Sequence, residues 1–220
     1  VVAWFIVPLI LSGHDAFLVS IIGSYIIAFA SIFIANGAKK RTFISIGCVA
    51  LILLFVAIMS YLAVSILGLS GLGDETAFFL SVDQPKIDMS GVLAGGIVIA
   101  SLGVLDDIVT AQVATVDELH GANPSLKSKE LFKRASSVGG EHIASLVNTI
   151  ALVYIGAALP VVISIASYNS DLLVLINGEY LSTEIVRTII ASTGLVLAVP
   201  VSTFTATYIL KREGSVTSSA

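Results

Sequence analysis

Charge is what this sequence has least of. Only 12% of its 220 residues are Asp, Glu, Lys or Arg, against about 25% in an ordinary soluble domain. With 56% hydrophobic residues and a mean hydropathy of +1.02, the chain falls outside the soluble globular class and reads as a polytopic membrane protein. It has one cysteine, Cys48, which lies in an apolar run. An intrachain disulfide is thereby excluded, and Cys48 reads as a small packing residue. No His/Cys cluster with metal-ligand spacing, no phosphate-binding glycine loop and no GxSxG element is present. No nucleophile and base can be paired, so the sequence predicts neither an enzyme nor a resident cofactor. The net charge of −4 comes with no motif for nucleic acid.

What the chain does have is apolar runs. Six can be marked: Val1–Leu11, Phe17–Ala35, Phe43–Leu67, Ser90–Thr115, Ile143–Ser167 and Ile185–Leu210. They lack the alternation of barrel strands, and open sheet edges do not survive in lipid. The fold class expected is all-α, a transmembrane helix bundle over residues 1–210 followed by a cytoplasmic tail, 211–220. The opening twelve residues rise only about 18 Å against a hydrocarbon core of about 30 Å. Residue 1 is therefore expected to lie inside a helix whose beginning is missing. A signal peptide is the competing reading, but no basic segment precedes the run and no A-x-A-like site follows it.

Loop charge sets the orientation. Lys39, Lys40 and Arg41, then Lys127, Lys129, Lys133 and Arg134, then Lys211 and Arg212 make nine of the eleven basic residues. All nine fall on one side of a six-helix alternation, which the positive-inside rule makes cytoplasmic. The opposite loops, "GLGDETAFFLSVDQPKID" and "YNSDLLVLINGEYLSTE", are mostly acidic. Within the 119–141 loop, Ser125 is a candidate N-cap, and Leu126, Leu131 and Phe132 share part of a helical face. The segment reads as a short amphipathic helix lying at the cytoplasmic interface or as a solvated connector.

Two adjacent carboxylates, Asp106 and Asp107, interrupt the fourth run. They sit about 12–18 Å below its cytoplasmic end, close to the midplane. Each costs about 2.5–3.5 kcal/mol there on insertion scales, so intramembrane acids normally face a bundle interior, a partner or water. Gly96, Ala100, Gly103, Asp107, Thr110 with Ala111, and Ala114 recur at spacings of three and four. This small-residue stripe is expected to pack closely against another helix, with Asp107 amid the contact. Adjacent helix positions point about 100° apart, so the two do not face each other, though they should titrate as a coupled unit. No Lys or Arg is expected at their depth. That favours protonation, water or a bound cation over a permanent ion pair, and makes both candidates for a metal. The bland alternative is that hydroxyls, amides or backbone satisfy them and they only lock packing.

The fifth run supplies candidate partners. His142 stands at its cytoplasmic mouth as a possible proton relay or a plain interfacial residue, and Asn148 lies about 9 Å deeper. Gln112 is a further polar neighbour on the fourth helix. In the sixth run, hydroxyls around Pro200 are placed to satisfy carbonyls that the proline frees, and Pro160 reads as a terminator of the fifth. "GLGD", Gly71 to Asp74, fits the Gly-x-Gly-Asp pattern of intramembrane aspartyl proteases but falls in an outer loop, where it reads as a turn.

From about Gly91 to Pro160 the chain resembles the signature region of the YibE/F-like family of bacterial integral membrane proteins. The strongest parts are Gly103-Val-Leu-Asp-Asp107, Gln112, Asn123-Pro124, Glu130-Leu-Phe132, His142-Ile-Ala-Ser145 and Val147-Asn-Thr149. Gly140 departs from the arginine frequent in relatives. The resemblance implies an inner-membrane protein, with further N-terminal helices and a small extracytoplasmic domain usual in its members, and no settled activity. A glycine shortly before an Asp pair on a fourth helix is also similar to the proton-coupling helix of resistance–nodulation–division exporters. The spacing here is three rather than four, and the likeness is an analogy of fold. It implies proton- or cation-coupled transport, with a second copy or another membrane subunit as partner. The rival expectation is a structural or assembly subunit of a membrane complex.

Overall fold

In lipid an apolar run can satisfy its backbone only by closing hydrogen bonds within itself. The computed structural model describes residues 1–157, 159, 163 and 177–217, and among these it has helices and no strand. Helix α1, Val2–Leu11, opens on wide π-type turns over Val2–Ile6 and tightens over Val7–Leu11. It is followed by α2, Ala16–Asn36; α3, Lys40–Leu67; α4, Glu75–Asp83; α5, Met89–Ala122; α6, Ser128–Ala157; and α7, Glu179–Thr217. Four of them, α2, α3, α5 and α7, are long and apolar enough to cross a bilayer. Pro160 and most of the second acidic loop lie outside the described residues.

Side-chain caps start several helices. Asp15 Oδ1 accepts from Leu18 N at 2.8 Å to begin α2, and Asp88 Oδ1 accepts from Ser90 N at 3.1 Å to begin α5. Asp74 of the "GLGD" turn caps α4, a short helix that hydropathy does not reveal, by accepting from Thr76 N at 2.5 Å. Gly68 closes α3 in the left-handed conformation that glycine adopts without penalty.

Beyond Ala122 the structure differs from the sequence reading. Asn123 Oδ1 accepts from Ser125 N and Oγ, so Ser125 sits in an Asx turn and is not the cap. Helix α6 starts three residues later and runs unbroken through Ala157. The amphipathic stretch is thus the first half of α6, not a separate helix or a connector. Leu131, Ala135 and Gly139, four residues apart, are buried against the bundle and hold it there.

The core is built around α5. Its Ile97, Val98, Leu105, Ile108, Val109, Val113 and Val116 share one cluster with Val49, Leu53 and Val56 of α3 and Leu195 and Ala198 of α7. Cys48 is buried in the same cluster. The basic segments gather at one end: Lys211 Nζ donates to Pro124 O at 2.7 Å, and Arg41 lies 3.9 Å from Glu118. At the other end Glu179 accepts from Ser70 Oγ and from Gly71 N at 2.7 Å.

Candidate functional site

Helix α5 places Asp106 midway between its ends. Ser31 Oγ of α2 donates to Asp106 Oδ2 at 2.7 Å, a cross-helix hydrogen bond to a half-buried carboxyl. Asp107, about 100° further round the helix, is exposed. Thr110 Oγ1 donates to the backbone carbonyls of Asp106 at 2.9 Å and Asp107 at 3.1 Å, so its hydroxyl serves the helix and not the carboxylates. The ion pairs lie elsewhere, and among the described residues no cation pairs with Asp106 or Asp107. Nor, among them, does any group of three or more His, Cys, Asp and Glu residues come together that could hold a metal ion.

The small-residue stripe takes an orientation opposite to the expected one. Ala100, Gly103, Asp107 and Ala111 are exposed, with Gly96 and Ala114 half-buried. The face of α5 that packs in the core is the one carrying large aliphatic side chains. Among the described residues, a Cβ added at Gly96 or Gly103 would meet nothing within 4 Å. Among the described residues Asp107 is therefore not in the middle of a helix contact; it is exposed on the stripe of small residues.

The other expected members do not gather around the pair. Gln112 is buried on the core face, where its Nε2 donates to Ala135 O at 2.9 Å and Thr203 Oγ1 at 2.7 Å. It joins α5, α6 and α7 as a polar clasp. Against it sits Gly139, where a Cβ would lie 2.5 Å from Gln112 Oε1 and 2.7 Å from Val199 Cγ1. Beyond Gly139, α6 touches the core only through partly buried side chains, Ile143 and Leu146, among the described residues. His142 and Asn148 are exposed, and Ile143 and Leu146 are half-buried. Among the described residues no hydrogen bond joins His142 or Asn148 to the aspartates. Around Pro200, Ser202 Oγ donates to Ala198 O at 2.5 Å and Thr203 Oγ1 to Val199 O at 2.6 Å, each one turn back.

Two features escaped the sequence. Ser31 is one serine among several on α2, and only the packing of α2 on α5 pairs it with Asp106. At the end opposite the basic segments, a cavity of about 360 Å³ between α5 and α7 is lined by Gly96, Tyr180, Glu184 and Arg187, among others. Arg187 donates to Glu184 Oε1 at 2.6 Å, while its Nε is buried without a partner among the described residues. Gly96 belongs both to this cavity and to the small-residue face of α5.

A family model described as YibE/F-like protein matches residues 1–212. No curated protein and no solved structure matches the chain. The match spans every helix that carries the Asp pair and its surroundings, and the chain belongs to the YibE/F-like family.

Proposed function

We propose that this chain is a component of a proton- or cation-coupled transporter or exporter, with Asp106 and Asp107 as the titrating pair. One observation carries the reading: two carboxylates stand midway along a helix long enough to cross a bilayer, with no cation paired to either among the described residues. Keeping acids at that depth costs several kcal/mol, and a membrane protein sustains the cost where the charge or the proton is used. Asp106, hydrogen-bonded to Ser31, is the member held within the chain. Asp107 lies on an outward face of small residues that suits close approach by a second copy or another membrane subunit. The cavity at Gly96 gives that face an opening toward the acidic end of the bundle. Gln112 belongs to the supporting frame, and His142 and Asn148 join the pathway only if α6 closes toward α5. The reading involves no bond-breaking chemistry, so the chain is a transporter component and not an enzyme. Its charge supports assigning the basic end, with the end of α7, to the cytoplasm, and membership of the YibE/F-like family supports a bacterial inner membrane as the location.

Replacing both aspartates with asparagine tests this in proteoliposomes carrying a pH-sensitive dye. Proton flux present in the unaltered protein and lost in the folded double variant supports coupling; equal flux in the two sinks it. The second reading, an assembly subunit in which the acids only fix packing, is favoured by the Ser31–Asp106 hydrogen bond. It expects the double variant to lose subunit association and to leave flux unaffected.

A further inference from the structure

We infer that the cavity between α6 and α7 at the basic end is a binding site for an anionic phospholipid. Its volume is about 510 Å³, inside the range of about 300–1,000 Å³ typical of small-molecule sites. Phe132 of α6 and Phe204 and Tyr208 of α7 form apolar walls, with the Phe204 and Tyr208 rings stacked at 6.4 Å between centroids. Phe204 is 65% exposed and Tyr208 58% exposed. The apolar side of the cavity therefore opens on the outer surface of a helix that crosses the bilayer, where acyl chains run. Lys129 and Arg212 line the same cavity. A basic rim over an apolar wall at the cytoplasmic boundary matches an amphiphile with a negative head. Lys211 also lines it and, while bonded to Pro124 O, keeps further ammonium donors.

An independent observation comes from Thr207. Along α7, the hydroxyls of Thr188, Thr193, Ser202 and Thr203 each donate to the carbonyl four residues back. Thr207 lines the cavity, is only 5% exposed, and its Oγ1 is buried with no partner among the described residues. A buried hydroxyl left unbonded costs free energy that a ligand acceptor would recover. The ester and phosphate oxygens of a phospholipid supply such acceptors next to the basic rim. A free anion would leave the aromatic walls unused, so the lipid is the better fit.

The test is native mass spectrometry of the whole chain in a neutral detergent with equal amounts of dioleoyl phosphatidylglycerol and dioleoyl phosphatidylcholine. The result expected is selective retention of phosphatidylglycerol. Lys129→Gln with Arg212→Gln should weaken it about twenty-five-fold, near fivefold for each charge removed. Thr207→Val keeps shape and charge and should weaken it about threefold to tenfold. Lys39→Gln with Lys40→Gln, at the same end but outside the cavity, should leave it unchanged. Equal retention of the two lipids, or undiminished retention in the folded cavity variants, overturns the assignment. So does full displacement by millimolar inorganic phosphate, which would make this a site for free anions. Absence of any retained lipid overturns it as well and leaves the groove to an acidic segment of a protein partner.

Discussion

Gly139 and Gly103 are both glycines inside long helices, yet their surroundings make opposite demands. At Gly139 a methyl group would overlap Gln112 and Val199 and push α6 off the clasp that Gln112 makes with Ala135 O and Thr203. Gly139→Ala should cost about 1–3 kcal/mol, read as a lower unfolding midpoint in detergent and faster proteolysis within α6. Gly103→Ala meets nothing within 4 Å among the described residues and should leave the same measurement unchanged or slightly improved, because alanine is the better helix former. A loss of more than about 1 kcal/mol there would mean that the face is already occupied in detergent. Ser31→Ala removes the hydrogen bond to Asp106 and should cost about 0.5–1.5 kcal/mol in the same assay. A larger loss would favour the packing role of the acid.

Among the elements, α6 begins with an exposed ion pair one turn apart. Arg134 Nε donates to Glu130 Oε1 at 2.8 Å, and this hydrogen bond, with the guanidinium charge behind it, holds the Glu130 carboxyl below the usual glutamate range. A depressed folded value means that the pair supports the folded helix above the unfolded glutamate value of about 4.3. That support fades as pH falls through the lower folded value. Exposure and salt keep the contribution small. In Arg134→Gln, the Glu130 carboxyl carbon should titrate closer to the ordinary glutamate range by NMR, and an unchanged midpoint would remove the pair from the account. The elements were legible in the sequence wherever hydropathy was the deciding quantity. Hydropathy measures depth in lipid, however, and not the length of a helix. It ends the fourth run at Thr115 while α5 continues to Ala122, and it divides α6 where apolar cover changes and the backbone does not. It also passes over α4, which depends on the Asp74 cap. The stripe of small residues on α5 was legible too, but its direction was not. In a bilayer both the outside and the interior are apolar, so a helix gives no polarity signal for which face turns inward. Gln112, expected beside the aspartates, is on the core face for the same reason.

For the whole molecule, the gathering of Lys39–Arg41, Pro124–Lys133 and Lys211 at one end makes a topological prediction. In a Cys48→Ser background, cysteines placed at Lys39 and Lys127 should react with an impermeant maleimide only from the cytoplasmic side. One placed at Gln84 should react only from the opposite side. Reactivity of Lys39 and Gln84 positions from the same side would break the alternation. The bundle so oriented has α5 at its centre, a core on one face of that helix, and the other face, with Asp107, turned outward. The claim on which the functional reading depends is that the pair exchanges protons at this depth. Difference infrared spectroscopy of the reconstituted protein, recorded between acidic and alkaline pH, tests it most directly. The account predicts a carboxyl C=O band that appears on acidification and is lost or shifted in Asp106→Asn and in Asp107→Asn; a spectrum in which neither substitution alters any titrating carboxyl band would contradict it.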